Sequence, residues 1–333
     1  MDNNNLAFYI QNFLQDFLTL QRGYSPNTIL SYRDTIKLFL MFSSDDKKIP
    51  VTDLRLSDLT QETVFDFLEH LEKQRNNSIQ TRNIRLACIH SLFCYVARQD
   101  PSLINQCQGV LAIPFKRTPV SRAEYLEQAE IKALLTAIDR SKPDGHRDYT
   151  LLSLMYNTGA RVAEVINLNV SALHLKKPYQ VCISGKGKKT RLCPLWPYTV
   201  NLLRSLLKQR GVPLTSDMPV FLNHRGEVLT RYGVRYLINK YVQIAGENCP
   251  SLLGKRIHPH TIRHSTAMAL LNSGVDINTI RAWLGHTRLE TTNRYAEIDL
   301  KMKRKVLDKY LPVAKTERPW KENKNLVQWL ESL

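Results

Sequence analysis

Apolar side chains recur with helical spacing through the first hundred residues, and then the pattern stops. Leu6, Ile10, Phe13, Leu14, Phe17 and Leu18 fall on one helix face, and Gly23 follows them as a stop signal. Ser25-Pro26 reads as a cap followed by proline at the first helical position, where a missing N–H leaves no bond unmade. Ile29, Tyr32, Ile36, Phe39 and Leu40 make the next stripe. Val64, Phe65, Leu68 and Leu71 make a third, and after Ser78 comes a fourth with Ile84, Cys88, Leu92 and Tyr95. Four amphipathic helices on short connections predict a small bundle. From Asp100 to Arg122 the spacing fails; Pro101, Gly109, Pro114 and Pro119 punctuate it, and Lys116-Arg117 add charge. This stretch is expected to be a linker stiffened by its prolines.

A second domain is expected beyond it, since a chain of 333 residues exceeds the ~250–300 that a single core usually serves. Ile131, Leu134, Leu135 and Ile138 predict one helix, and Leu151 to Tyr156 belong to another that ends near Gly159. Gln180–Ser184 and Thr190–Leu195 read as two short strands, joined as a hairpin by the GKGKK turn. Helices resume at Thr199–Gln209, Tyr232–Ala245, His260–Ser273 and Ile277–Leu284. The predicted organisation is a helical domain over 1–112, a linker over 113–121, a mixed α/β domain over 122–312 and a tail over 313–333. The tail carries Trp320, Leu326, Val327, Trp329 and Leu330 as the apolar face of a short helix. Such a face could dock on a neighbouring copy or pack on its own chain. The fold class is therefore mainly α with a small β-sheet.

An apolar fraction of 43% suits a globular protein, and a net charge of +17 favours a polyanionic partner: DNA, RNA or an anionic membrane surface. No apolar run approaches the ~18–20 residues needed to span a bilayer. The amino-terminal segment is polar and acidic before it is apolar, unlike a secretory signal. Cys88, Cys94, Cys107, Cys182, Cys193 and Cys249 lack C-x-x-C spacing. They are read as reduced, mostly buried thiols of a cytosolic protein, and no zinc site is expected on them.

Three segments concentrate chemistry: TGARVAEVINL (158–168), SGKGKKTRLCPL (184–195), and the stretch from His258 through LGHTRLETTNRY to Tyr295. His260 and Arg263 are three apart and share a helix face. Arg161 opens a helix with Glu164 three residues on, placed to hold its guanidinium. Lys186, Lys188 and Lys189 crowd a hairpin tip. This inventory suits phosphoryl transfer without a metal. Two arginines can clamp the non-bridging oxygens, histidines can add hydrogen bonds, and a cationic pocket can make a tyrosine phenol, ordinarily of pKa ~10, a nucleophile. A lysine on a hairpin can protonate the leaving alkoxide. No D-x-D or D-x-E cluster accompanies these segments, which argues against a two-metal nuclease. Blander readings stand beside these: surface salt bridges for the arginines, a solvated tip for the lysines, packing for a tyrosine that is one of 14. His260 and His264 have the i, i+4 spacing of zinc ligands, but no third ligand lies near in sequence. Thr291 and Thr292 read as capping or packing residues.

Taken in order, these segments resemble the catalytic domain of the tyrosine recombinases, the family of Xer proteins and phage integrases. The TG-x-R-x-x-E element matches Thr158, Gly159, Arg161 and Glu164. The GKG-x-K-x-R hairpin matches Gly185 to Arg191, and the H-x-x-R-H element matches His260, Arg263 and His264. The LGH element matches Leu284 to His286, with Tyr295 nine residues later. The match runs from about Glu127 to Leu311, and 25–42 with 78–96 resembles, more softly, the SAM-like core-binding domain of that family. Ala160 stands where the family more often has a larger apolar residue, and the chain extends past the minimal core after Leu311.

The resemblance implies a site-specific recombinase that cleaves and rejoins DNA through a 3′-phosphotyrosyl intermediate, with no cofactor and no metal. It assigns catalysis to Arg161, Lys186, His260, Arg263, His286 and Tyr295, with Glu164 orienting Arg161. Arg82, Arg85, Lys116, Arg117, Lys188, Lys189, Arg191 and Arg231 are the expected DNA contacts. The partners implied are double-stranded DNA, gripped between two domains, and further copies of the chain in a tetrameric synapse. Partner recombinases are an open option, and no membrane is involved. The setting expected is the cytoplasm, on a bacterial nucleoid, and the tail makes a mobile-element enzyme plausible. A type IB topoisomerase-like enzyme, relaxing DNA without pairing two sites, and a non-catalytic DNA-binding accessory protein are the alternative readings.

Overall fold

The computed structural model describes residues 6–118, 124–185 and 189–285, and the chain divides into two compact units, Met1–Ser121 and Arg122–Leu333. In the described residues helices dominate and a single three-stranded sheet accompanies them, as the sequence predicts.

In the first unit, α1 (Leu6–Asn12) runs on as a π-helical stretch, Phe13–Gln21, that ends before Gly23 at a φ of +59°. α2 (Pro26–Lys47), α3 (Gln61–Lys73) and α4 (Ile79–Gln99) follow. Ser25, Thr60 and Ser78 cap them, each hydroxyl accepting a backbone N–H three residues on. Phe13, Phe39, Phe67 and Phe93 are fully buried among leucines from all these segments and make one core. The stretch read as linker from Asp100 onward begins as structure. Asp100 caps a 3-10 turn at Pro101–Leu103, and α5 (Ile104–Leu111) buries Cys107 and Val110. Two prolines and a glycine hid an eight-residue helix. Gly109 is no breaker there, because a methyl group in its place would stand 3.2 Å from Gln61 Oε1, at the start of α3.

The second unit opens with α6 (Gln128–Thr136) and α7 (Pro143–Thr158). α7 is buried along most of its length and forms the spine of the domain. It carries Asp148, whose carboxylate accepts from Arg147 and from the Tyr241 hydroxyl at 2.7 Å, so a buried charge is fully partnered. After α8 (Val162–Ile166) comes the antiparallel sheet of β1 (Leu173–His174), β2 (Gln180–Ser184) and β3 (Thr190–Pro194). Ile183 faces Arg191 and Ser184 faces Thr190 in the β2–β3 register, and Val181, Ile183 and Cys193 point into the core. α9 (Pro197–Gln209), α10 (Arg231–Gly246), α11 (Pro259–Asn272) and α12 (Ile277–Leu284) complete the described part, all within a few residues of their predicted positions. Cys88, Cys107 and Cys193 are buried, the other three cysteines are not, and all six are free thiols. No helix among the described residues is long and apolar enough to cross a membrane.

Candidate active site

Three motif segments meet at Arg263. It projects from α11 into the interior and is only 3% exposed. Its Nη1 donates to the carbonyl of Gly159 at 2.6 Å and its Nη2 to the carbonyl of Leu284 at 2.7 Å. Leu284 carries the last carbonyl of α12 and Gly159 is the residue that caps the end of α7, so both acceptors lie where no intrahelical donor remains. Both helices end in a left-handed glycine, Gly159 at φ +59° and Gly285 at φ +66°. Gly159 must also be small: a methyl group on it would overlap Leu284 Cδ2. One buried guanidinium thus holds two helix ends that only glycine lets approach.

Arg161 follows Gly159 by two residues and caps α8. Its N–H donates to Glu164 Oε2 at 2.9 Å and its Nη1 to Glu164 Oε1 at 2.8 Å, while the side chain stays 36% exposed. The orienting role predicted for Glu164 is therefore present as geometry. Glu164 is 5% exposed and takes a second cation, Arg191, whose Nη2 donates to Oε2 at 2.8 Å. Burial alone would raise the Glu164 carboxyl. The bonds from Arg191 and from the Arg161 backbone and side chain outweigh it and hold the group below the usual carboxylate range.

His260 lies exposed in the first turn of α11, 6.1 Å from the ring of His258 between centroids. Its imidazole is held below its ordinary pKa, first by loss of water around its inner side and then by the charges of His258, Arg263 and Arg161. Arg263 is tied to the Arg161–Glu164 pair through Gly159, two residues before Arg161, and His260 stands one helical turn before Arg263 on α11. Lys186, Lys188, His286, Thr291, Thr292, Tyr295 and the tail lie outside the described residues. No three His, Cys, Asp or Glu side chains cluster as metal ligands among the described residues.

The expected DNA contacts divide. Arg117, Lys189 and Arg231 are exposed. Lys116 is exposed but paired with Glu72 at 2.8 Å. Arg82 is a correction: it is 3% exposed, donates to the Pro114 carbonyl and to Asn83, and stands 3.5 Å from Glu72. Its place in the first turn of α4 turns it inward, toward Glu72 and the Pro114 carbonyl. Arg85 is half-buried, with burial lowering its pKa. Arg191 is a second correction, since its Nε donates to the Trp283 carbonyl at 2.9 Å and its Nη2 to Glu164, so it braces the site from within. The sequence reading also passed over a surface: Arg231, Tyr232, Arg235 and Tyr236 stand exposed at the start of α10, with Arg235 close enough to bear on the charge of His258. Their i, i+4 pairing was the available signal.

The chain is similar to known proteins over most of its length. Residues 124–302 match the phage integrase family, and residues 10–100 match the phage integrase N-terminal SAM-like domain. A putative integrase/recombinase, y4rC, of Sinorhizobium fredii is 38% identical over 99% of this chain and 98% of its own length. The tyrosine recombinase XerC of Thermodesulfovibrio yellowstonii is 30% identical over 94% of this chain and 99% of its own. Among solved structures, the XerH site-specific recombinase bound to its difH substrate, in a pre-cleavage complex, has a TM-score of 0.66 at 23% identity. That alignment covers 88% of this chain and 83% of the other.

Proposed function

The chain belongs to the phage integrase family and is a tyrosine-type site-specific recombinase that acts on DNA, and on that premise we propose how its residues divide the work. The observation that carries the proposal is that Arg263 holds the two glycine-ended helices together, and Arg161, two residues past one of those glycines, is fixed by Glu164. A scissile phosphate entering there faces guanidinium donors already fixed by buried acceptors, so little reorganisation is left for the transition state.

Tyr295 supplies the nucleophile. Its phenolic oxygen forms a bond to phosphorus, the bond from phosphorus to the 5′ oxygen breaks, and the phenol proton leaves to solvent or a neighbouring base. Lys186 donates a proton to the departing 5′ oxygen, leaving a 3′-phosphotyrosyl link. A 5′-hydroxyl from another strand then attacks that link, and the proton movements reverse. The phosphoryl bond is conserved in the adduct, so the cycle needs neither nucleotide hydrolysis nor a metal. Arg161 and Arg263 clamp the non-bridging oxygens, and His260 with His286 adds hydrogen bonds to them.

Residues 1–112 and 122–312 both contribute DNA contacts, joined by the linker at 113–121. Arg117, Lys189, Arg231, Lys188 and Arg85 supply phosphate contacts, with Arg235 added from the exposed start of α10. Affinity then falls steeply with salt as counterions are released. Exchange between two sites requires four copies, so the active form is a tetramer on duplex DNA, in the cytoplasm, serving a mobile element. The tail after Arg318 supports synapsis by docking on a neighbouring copy. The decisive experiment is covalent trapping on a nicked duplex: Tyr295→Phe retains DNA binding and traps no adduct. An adduct formed by that variant removes Tyr295 from the mechanism. Retained plasmid relaxation without recombination between two sites would point to a topoisomerase instead.

A further inference from the structure

We propose that Arg191 is a positioning residue that seats the foot of the β2–β3 hairpin, and so delivers the general acid that follows Gly185 in sequence. The inference rests on the assignment of Lys186 made above.

Both feet of the hairpin stand on one carboxylate. Arg191, in β3, donates to Glu164 Oε2 at 2.8 Å. Gly185, at the end of β2, lies so close to the same group that a methyl on it would stand 3.2 Å from Glu164 Oε1. The Gly185 N–H donates to the Lys189 carbonyl at 2.8 Å, which closes the base of the turn. Lys186 is the next residue in the chain. The residue before it thus lies against the carboxylate that also holds Arg161, one of the phosphate clamps.

Arg191 adds a second tie. Its Nε donates to the Trp283 carbonyl at 2.9 Å, in the last turn of α12, and Gly285 covers its side chain so closely that a methyl there would meet Arg191 Cδ at 3.1 Å. The neighbouring carbonyl, Leu284, is the one Arg263 holds. The hairpin base, the end of α12 and the Glu164–Arg161 pair are thus fastened through one planar guanidinium. Lysine cannot replace it, because one ammonium on a flexible stem does not reproduce two divergent donors in a fixed fork. This also accounts for glycine in both the GKG and LGH elements: each gives way to the same arginine–carboxylate pair.

The test uses the full chain and a nicked duplex bearing the site mapped from DNA ends that the wild-type protein traps covalently. Arg191→Lys and Arg191→Ala are measured in single-turnover cleavage with enzyme in excess, alongside thermal unfolding and DNA affinity. Cleavage of the ordinary phosphodiester is expected to fall about 100-fold, the scale of a small misplacement of a reacting group, with DNA affinity retained. A second substrate carries sulfur in place of the leaving 5′ oxygen. Its departing thiolate needs no proton, so most of the lost rate is expected to return. Equal loss on both substrates, or no loss on either, overturns the proposal. Lys186→Ala separates the two levels of inference. If its defect is not relieved by the sulfur substrate, the general-acid assignment fails. If it is relieved and that of Arg191→Lys is not, only the role of Arg191 fails. Should Arg191→Ala unfold, Arg191→Lys, which keeps a cation beside Glu164, decides the matter.

Discussion

Each unit of this molecule contains a glutamate set between two cations, and the two arrangements do different work. In the first, Glu72 lies between Arg82 and Lys116 and is partly open to water. In the second, Glu164 lies between Arg161 and Arg191 and is nearly sealed. Glu72 joins a helix to the strap that leaves its domain, because Lys116 sits on that strap and Arg82 also grips the Pro114 carbonyl. Glu164 joins a phosphate clamp to a hairpin, beside a buried arginine and a histidine held below its usual pKa. The two salt bridges differ in how much of the paired arginine stays open to a ligand. Arg82 is sealed, with Nη1 shared between the Pro114 carbonyl and Asn83 Oδ1, whereas Arg161 commits Nη1 to Glu164 and keeps a third of its surface open.

The sharpest way to break this comparison is to remove one arginine from each unit. Arg161→Ala is expected to lower single-turnover cleavage by about 10²–10³-fold, the usual effect of losing one preorganised donor to a developing anion, with little change in melting temperature. Arg82→Met is expected to do the reverse. It leaves cleavage per folded molecule intact and destabilises the first unit by about 1–3 kcal/mol, read by denaturant unfolding. If Arg82→Met depresses cleavage as Arg161→Ala does, the separation of roles is wrong.

Neutralising the carboxylates tests the same contrast more gently. Glu164→Gln keeps the shape but releases Arg161 and Arg191, and cleavage should drop by up to about 100-fold. Glu72→Gln should leave it unchanged in the same assay.

Acid titration sharpens the contrast further. Glu164 has a folded pKa below its unfolded value, so it binds fewer protons folded than unfolded. Its contribution to stability is present above the ordinary carboxylate range and is lost as pH falls through the depressed folded value. His260 is also depressed, so the folded state favours the neutral ring. Stability linked to it is complete above the unfolded histidine value and declines as pH falls through the folded one. Unfolding followed between neutral and acid pH should therefore be less pH-dependent in the carboxylate range for Glu164→Gln, and less so just below neutrality for His260→Asn. Curves parallel to wild type would show that neither site senses the proton. The smallest effect is expected at the most exposed of the four cations paired with Glu72 and Glu164: Lys116→Gln should change stability by no more than about 1 kcal/mol.

Much of this was legible from sequence where a local rule decides the outcome. The GKGKK turn between two short alternating runs set the hairpin within a residue, because turn chemistry and strand spacing are both local. The Arg161–Glu164 capping arrangement was readable for the same reason, being a contact three residues long. α5 escaped because Pro101 precedes it, Gly109 interrupts it and only two of its side chains, Cys107 and Val110, are buried. Arg82 and Arg191 escaped for a different reason. Whether an arginine faces solvent or an interior carbonyl is settled by partners 32 and 92 residues away, Pro114 and Trp283. No pattern in the neighbouring sequence encodes them.

The grip of Asn83 on the strap leaving the first unit has a consequence of its own. Its amide donates to the Lys116 carbonyl at 2.7 Å, and its oxygen accepts the Lys116 N–H at 3.1 Å. Both bonds join neutral groups, so dissolved ions do not screen them as they screen charge pairs. A rise in ionic strength that strips the protein from a polyanion weakens the Lys116–Glu72 pair but leaves these two bonds in place. The molecule that comes off is already set for its next encounter.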